Sequence, residues 1–302
     1  MEFKDDKAQH GLRFLEATVL NLAITAVEFG GGLLSGSLAL LSDAIHNLGD
    51  SASIVMAYVA SRISQRNSNQ SKTYGYRRAE ILSSYFNAIF LLVMSALLIW
   101  EAIRRFAHPH PVNGGLMLVV AVVGLLANGF SAWLLHSGSH NNLNLKATYL
   151  HILSDAFASG GVILGALIIK IFHVVWADPL MTIVVSVYIA YKTIPIIIEA
   201  TNILMEAGPR LDYRAVKATV LSVPGVVNIH HVHTWMIDEH RIMLTAHIAL
   251  EDQELSEVEP IYQKIRKLLK DKYNIEHATL QAEVDRARNI RSLQLIKTTF
   301  SE

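Results

Sequence analysis

Six long apolar stretches constrain this chain more than any other feature of its sequence. They cover roughly residues 14–36, 38–61, 80–104, 114–136, 147–171 and 178–200. An α-helix needs about 20 apolar residues to cross a bilayer, and each stretch is that long. Because backbone polar groups inside a bilayer must find their partners within the segment, we predict six transmembrane α-helices.

The pattern changes after Ala200, where charged residues and short alternating runs replace the apolar stretches. The sequence therefore predicts two domains, a six-helix transmembrane domain over 1–208 and a soluble domain over 209–302. A content of 52% hydrophobic and 17% charged residues is typical of a membrane protein of this kind. Cysteine is absent from the sequence, which excludes disulfides and thiolate metal ligands.

Lysine and arginine are concentrated on one side of the predicted membrane domain. They occur in the N-terminal tail, in the 62–78 loop and in the 201–217 stretch, whereas the other side has only Arg104, Arg105 and Lys170. The positive-inside rule then places both termini and the soluble domain in the cytoplasm. Because the N-terminal residues are polar, no cleavable signal peptide is expected, and we predict a multi-pass protein of the inner or plasma membrane.

Two matched histidine–aspartate pairs lie inside the apolar stretches, His46 with Asp50 and His151 with Asp155. Residues i and i+4 share one face of a helix, so each pair sets an imidazole beside a carboxylate. A single polar residue in a membrane helix can simply hydrogen-bond a neighbouring helix. Two matched pairs are different, since two carboxylates in a low dielectric need a cation. Two facing helices of this kind would offer a ligand set that suits Zn²⁺.

The second apolar stretch carries further polar residues, among them Ser42, Asp43 and Asn47. No lipid-facing helix would accept this set, so the stretch is predicted to line a cavity or a helix interface. For Asp43 two interpretations remain open, a carboxylate in a vestibule and a polar group that packs between helices. The interfacial or structural interpretation is favoured for three other carboxylates, Glu28, Glu101 and Glu199.

Helical and strand spacings alternate in the soluble domain. The predicted elements are a helix at 211–221, strands at 226–237 and 241–250, a helix to about Tyr273 and a strand at 278–284. A capping box formed by Ser256 and Glu259 is predicted to open the second helix. The order α-β-β-α-β predicts an α+β domain, a small sheet covered on one face by helices.

Several metal-ligating residues are concentrated on these strands or at their entrances: His230, His231, His233, His247, His277 and Glu283. Alternate residues of a strand share a face, so His231 and His233 are predicted to point one way and His230 the other. On that basis they cannot all join one site. Ordinary hydrogen bonding within a strand or a dimer interface is the alternative to metal binding, and it is favoured for three of them, His231, His233 and His277.

Four segments together resemble a known family, the cation diffusion facilitators, and in particular their bacterial zinc-exporting branch. They are Ser35-Gly-Ser-Leu-Ala-Leu-Leu-Ser-Asp-Ala-Ile-His-Asn-Leu-Gly-Asp50, Tyr74-Gly-Tyr-Arg-Arg-Ala-Glu-Ile-Leu82, His151-Ile-Leu-Ser-Asp155 and His230-His-Val-His-Thr-Trp235. They occur in the family's order and at its spacing, and the resemblance extends from about residue 13 to about residue 285.

The resemblance implies six transmembrane helices followed by a cytoplasmic ferredoxin-like, metallochaperone-like domain, assembled as a homodimer. It implies export of Zn²⁺, with Cd²⁺ or Co²⁺ as further cargoes, in exchange for protons by alternating access. The implied transport ligands are His46, Asp50, His151 and Asp155. The implied zinc ligands of the cytoplasmic domain are His230, His247 and Glu283. Zn²⁺ is then the substrate and a regulatory ligand, with no organic cofactor.

Two features depart from patterns seen in some members of that family. The 61–74 loop has no His, Asp or Glu, so no accessory metal site is expected there. Histidine-rich segments are also missing from the positions where many zinc exporters carry them, since only His10 occurs at the first position, and His136 and His140 at the second. A metal-collecting role for these segments is therefore not expected.

Other classes of function find less support in the residues. A membrane metalloenzyme would keep three ligands and an open position for water, but no HExxH motif or separate general base is present. The sequence shows no phosphate-binding loop and no interleaved basic and aromatic pattern for nucleic acid. A membrane metal sensor that signals through the cytoplasmic domain remains an alternative, as does an exporter of another divalent metal such as Mn²⁺ or Fe²⁺.

Overall fold

The structure is a computed structural model of the 302-residue chain. It describes residue 19 and residues 21–139 and 143–284, apart from the side chains at 54, 132, 134–154, 157 and 158. Contacts between residues divide the chain into two compact units. The first holds the described residues up to Val59 together with Ser83–Ile197, and the second holds Ala60–Leu82 and the described residues from Ile198 onward.

Each of the six apolar stretches contains a helix within the residues that the structure describes. The helices are α1 (21–35), α2 (Leu38–Ser64), α3 (Arg78–Ala107), α4 (Gly114–Ser139), α5 (Leu143–Phe172) and α6 (Ala177–Leu204). Among the described residues, three segments are long and apolar enough to cross a membrane: Arg78–Ala107, Gly114–Ser131 and Ala177–Leu204. α5 adds a shorter apolar segment, Ser159–Phe172.

A buried carboxylate fixes the start of α2, the helix that carries the first histidine–aspartate pair. The chain turns from α1 into α2 at Gly36, whose φ of +72° is accessible to glycine without steric cost. Asp178, fully buried in the first turn of α6, accepts hydrogen bonds from the backbone N–H groups of Leu38 at 2.9 Å and Ala39 at 3.2 Å. Arg105 donates to the carbonyl oxygen of Gly36 and lies 3.9 Å from the Asp178 carboxylate.

Small residues of α5 let the helices of this unit approach closely. A Cβ at Gly165 would lie 3.0 Å from Met181 Cγ, and one at Gly161 would lie 3.1 Å from Met181 Cε. The buried core around this contact draws on α2, α4, α5 and α6, through Ala39, Leu40, Met117, Ala121, Val162, Ala166 and Ala177. Close contact between helices is the main source of cohesion where lipid replaces water.

The second unit contains the α+β arrangement. Its elements beyond α6 are α7 (Tyr213–Leu221), β1 (Val226–Met236), β2 (Ile242–Leu250), α8 (Leu255–Tyr273) and β3 (Ile275–Glu283). The predicted order α-β-β-α-β is therefore confirmed. The strands form one sheet in the order β1-β2-β3, with β1 and β2 antiparallel and β2 and β3 parallel. Apolar residues of α7 and α8 cover one face, among them Val216, Val220, Ile265 and Leu269.

Two local predictions need correction. The capping box is wrong, because α8 begins at Leu255 with Glu254 at its N-cap, and Ser256 therefore lies inside the first turn, where it cannot cap. The last strand begins at Ile275 and not at Ala278. The preceding Asn274 takes the left-handed conformation that ends α8 and lets the chain enter the strand at once.

Candidate metal centres

α2 and α5 bring three of the four predicted transport ligands together. His46 Nε2 lies 3.6 Å from Asp50 Oδ2 and 3.7 Å from Asp155 Oδ1. One ligand atom from each of the three residues lies within 4.8 Å of the others. His151 lies on α5 one turn before Asp155, and its side chain is outside the described part of the structure.

These separations suit a small divalent cation. Zinc bonds to nitrogen and oxygen of about 2.0–2.2 Å in a tetrahedron set the ligand atoms about 3.3–3.6 Å apart. The distances from His46 to the two carboxylates are close to that range. Two carboxylates balance the charge of the ion, and imidazole nitrogen favours a first-row metal such as zinc over harder ions.

Polar groups around this cluster tie α2 to its neighbours. Ser159 of α5 donates a hydrogen bond to Asp43 at 3.1 Å, and Asn47 donates one to Glu28 of α1 at 2.9 Å. Asp43 is buried, which favours its packing between helices over a place in a vestibule. Glu28 is 0% exposed and accepts the hydrogen bond from Asn47, which favours the structural interpretation of the carboxylate over the interfacial one. Its position well inside the first apolar stretch is the signal that could have identified it.

The three strands of the sheet bring the predicted cytoplasmic ligands together. Glu283 of β3 lies between the two imidazoles, with Oε2 3.1 Å from His230 Nε2 and Oε1 2.8 Å from His247 Nδ1. His230 and His247 are direct cross-strand partners in β1 and β2. One ligand atom from each of the three residues lies within 4.8 Å of the others, so this group could also hold a metal ion.

The predicted facing of the β1 histidines is wrong, because the alternation breaks at a β-bulge. The register shifts between His230 and His233, and His231 has a φ of +52°. An extra residue in a bulged strand disrupts the two-residue period. The His231 ring consequently stacks on His247, with centroids 4.6 Å apart, and lies 4.9 Å from the His233 ring. Sequence spacing alone carries no signal for such a bulge.

The crowding of imidazoles affects the titration of His231. Burial, followed by the neighbouring imidazoles of His247 and His233, lowers the pKa of His231 from its ordinary value of 6.5. The lowered pKa favours the neutral form of the His231 imidazole. His277, the remaining strand histidine, is exposed on β3, where it pairs in register with Met243 and its Nε2 lies 3.4 Å from the Thr279 hydroxyl.

Two family models match the chain. One, described as the cation efflux transmembrane domain, matches residues 15–205. The other, described as the cytoplasmic domain of cation efflux proteins, matches residues 209–285. The chain belongs to the cation efflux family. The resemblance to the cation diffusion facilitators and the predicted fold class, a helical transmembrane domain followed by a cytoplasmic α+β domain, are thereby confirmed.

Curated relatives in the cation efflux family align over most of their length. Zinc transporter ZitB of Escherichia coli is 41% identical over 90% of this chain and 87% of its own. The cadmium, cobalt and zinc/H⁺-K⁺ antiporter of Bacillus subtilis is 39% identical over 86% of this chain and 84% of its own. The metal cation efflux system protein CzcD of Cupriavidus metallidurans is 34% identical over 89% of this chain and 85% of its own.

Proposed function

We propose that this protein exports Zn²⁺, with Cd²⁺ or Co²⁺ as further cargoes, in exchange for protons by alternating access. The observation that carries the proposal is the cluster of His46, Asp50 and Asp155 between two helices of a cation efflux domain. His151 is proposed as the fourth ligand, since it precedes Asp155 on α5 by one turn. The names of ZitB and the Bacillus antiporter support zinc as the cargo.

Proton exchange follows from the chemistry of the ligands. Imidazole binds a metal only when it is neutral, so zinc and protons compete for His46 and His151. At cytoplasmic pH the neutral ligands load zinc. When the site opens to a more acidic exterior, protons occupy the ligands and release the metal. Rocking of a helix group around a site near the middle of the membrane would expose it to one side at a time.

The proposed setting is a homodimer in the inner or plasma membrane, with both termini in the cytoplasm. The distribution of lysine and arginine supports this orientation. The transport domain would occupy 1–208, and 209–302 would form the cytoplasmic domain. The match of residues 209–285 to the cytoplasmic dimerisation domain of cation efflux proteins supports an assembly of two chains. Divalent metal ions, protons and the lipid bilayer are the remaining partners, and no nucleic acid is involved.

We also propose a regulatory zinc site in the cytoplasmic domain, formed by His230, His247 and Glu283. The carboxylate between two imidazoles supports it, and the absence of cysteine from the sequence excludes a thiolate structural site. Binding to imidazole and carboxylate is reversible and weakens as histidine protonates near about pH 6. Zinc at this site would stabilise the domain by mass action when cytoplasmic zinc is high.

Zinc flux into vesicles tests the proposed activity. The purified full chain is reconstituted into liposomes that contain an entrapped zinc-sensitive dye, with the interior more acidic than the exterior. Export predicts zinc uptake well above that of protein-free vesicles, and slower uptake when the pH gradient is removed. Zinc binding without uptake would indicate a sensor and contradict export, and uptake of Mn²⁺ in preference to Zn²⁺ would contradict the proposed cargo.

A further inference from the structure

Glu28 is a fully buried carboxylate that the proposed metal site does not use. It lies on α1, where its Oε2 accepts the hydrogen bond from Asn47. Among the described residues, no donor reaches Glu28 Oε1 or Asn47 Oδ1, although both atoms are buried. An unpaired buried carboxylate charge is strongly unfavourable, and the neutral acid removes most of that penalty.

The number of carboxylates around the transport site also indicates that the charge of Glu28 is not balanced by zinc. Among the side chains that the structure describes, the charged groups that face Glu28 are two further carboxylates, Asp43 on α2 and Asp155 on α5. Asp50 and Asp155 balance one divalent cation, so Glu28 and Asp43 exceed what zinc can neutralise. Each of these two carboxylates accepts one side-chain hydrogen bond, Asp43 from Ser159 and Glu28 from Asn47, but Glu28 Oε1 is buried with no donor among the described residues. Glu28 therefore needs a cation of its own.

Little space is available for that cation. Glu28 Oε1 lies so close to the backbone of α4 that a Cβ at Gly124 would collide with it. Potassium is bound in proteins by shells of several oxygen atoms, and the backbone of α4 occupies one side of Oε1 where such oxygens would have to lie. A proton bonded directly to the carboxylate oxygen needs no such shell.

We propose that Glu28 is a proton-binding site separate from the metal ligands, and that its proton is exchanged for zinc. This inference rests on the proposed export of zinc. In the state open to the cytoplasm, zinc at His46 and the two aspartates stabilises ionised Glu28, whose O–H bond breaks and whose proton passes to cytoplasmic water. In the outward-open state a proton from the exterior bonds to Glu28 and weakens zinc binding by the same coupling free energy.

Asn47 gives the two sites a direct connection. It follows His46 on α2, and its amide holds the Glu28 carboxylate at 2.9 Å. Ionised Glu28 accepts a stronger hydrogen bond from this amide than the neutral acid does. A change in the charge of Glu28 is therefore transmitted to the turn of α2 that carries the metal ligand.

The proton released on zinc binding measures this exchange directly. Zinc is titrated calorimetrically into the detergent-solubilised full chain in buffers of different ionisation heat, which gives the number of protons released per zinc ion. The Glu28→Gln variant keeps the shape and hydrogen-bonding capacity of the side chain but has no proton to exchange. It is expected to bind zinc and release about one proton fewer than the wild type. Glu199→Gln, which changes an exposed carboxylate on α6, should leave the proton count unchanged.

Infrared difference spectra of the wild type with and without zinc keep the proposal testable if the variant does not fold. They should show the loss of a protonated carboxyl band when zinc binds, and absence of that band would overturn the proposal. An unchanged proton count in Glu28→Gln would overturn it, as would loss of zinc binding, which would make Glu28 part of the metal site. A proton count that depends on K⁺ would show a site for a larger cation. None of these measurements requires transport, so a failure of export is recognised separately in the flux assay.

Discussion

At the scale of single residues, the two candidate metal centres use the same chemistry in different surroundings. In each, imidazole and carboxylate groups lie close enough to share one cation. The histidine side chains are exposed to a similar extent, 18% for His46 and 25% for His247, so each centre is partly accessible to solvent.

Replacing His247 with alanine is expected to weaken zinc binding by the cytoplasmic domain. The change removes one of three ligands, and loss of even an outer-shell partner of a metal lowers affinity about 10–100-fold. In the full chain, flux should then require more zinc to reach half its maximal rate, while the maximal rate changes less. His277→Ala is the matched control, because His277 lies on another part of β3. Equal zinc dependence of His247→Ala and wild type would remove this site from the account.

His231 is expected to make the metal-free protein less stable as pH falls. Its lowered pKa means that the unfolded chain takes up a proton at a higher pH than the folded chain does. Above the ordinary histidine pKa of 6.5, His231 therefore does not change the free energy of unfolding. As the pH falls below 6.5, His231 lowers that free energy. Asparagine tolerates the positive φ of this position, so His231→Asn should preserve the bulge.

The measurement is the melting temperature of the full chain in detergent with a chelator, from about pH 7.5 to about pH 5.5, either side of the ordinary histidine value. Wild type should lose stability more steeply than His231→Asn over this range. His277→Asn should follow the wild type. Identical pH profiles for wild type and His231→Asn would contradict the assignment of this titration to His231.

At the scale of elements, sequence reasoning succeeds where hydrophobic periodicity determines the structure. It fails where contacts between separate elements determine it. The apolar stretches place the helices within a few residues, and strand spacing finds β1 and β2 almost to their ends. The bulge at His231 depends on cross-strand register, which no local pattern contains. The buried contacts of Glu28 and Asp178 depend on how other helices pack against them, which for Asp178 involves a residue 140 positions away. For the same reason, spacing could pair each histidine with its aspartate but could not show that Asp155 meets His46.

The start of α2 is one such partnership, and it should be sensitive to mutation. Asp178→Ala removes the acceptor for the Leu38 and Ala39 amides and leaves Arg105 without that carboxylate. Leaving buried donors unsatisfied costs about 1–3 kcal/mol. We expect a lower melting temperature for the detergent-solubilised protein, with a smaller decrease for Asp178→Asn, which keeps one acceptor. An unchanged melting temperature in Asp178→Ala would contradict a capping role.

At the scale of the whole molecule, both centres lack thiolate ligands, since the sequence contains no cysteine. Zinc binding at each would therefore be reversible and would compete with protons. In the proposed function, one ion is the cargo of the membrane domain and the signal for the cytoplasmic domain. The same dependence on neutral imidazole would make loading and regulation respond together to cytoplasmic pH.

The central claim is that the cluster between α2 and α5 carries the zinc, and the flux of the Asp155→Ala variant tests it most directly. The change removes one of two charge-balancing carboxylates and one ligand, so initial zinc uptake into vesicles should fall at least about tenfold. Size-exclusion chromatography should show unchanged folding and assembly, and Glu199→Ala, an exposed carboxylate on α6, should transport like the wild type. Near-normal zinc uptake by correctly folded Asp155→Ala would contradict the assignment of the transport site.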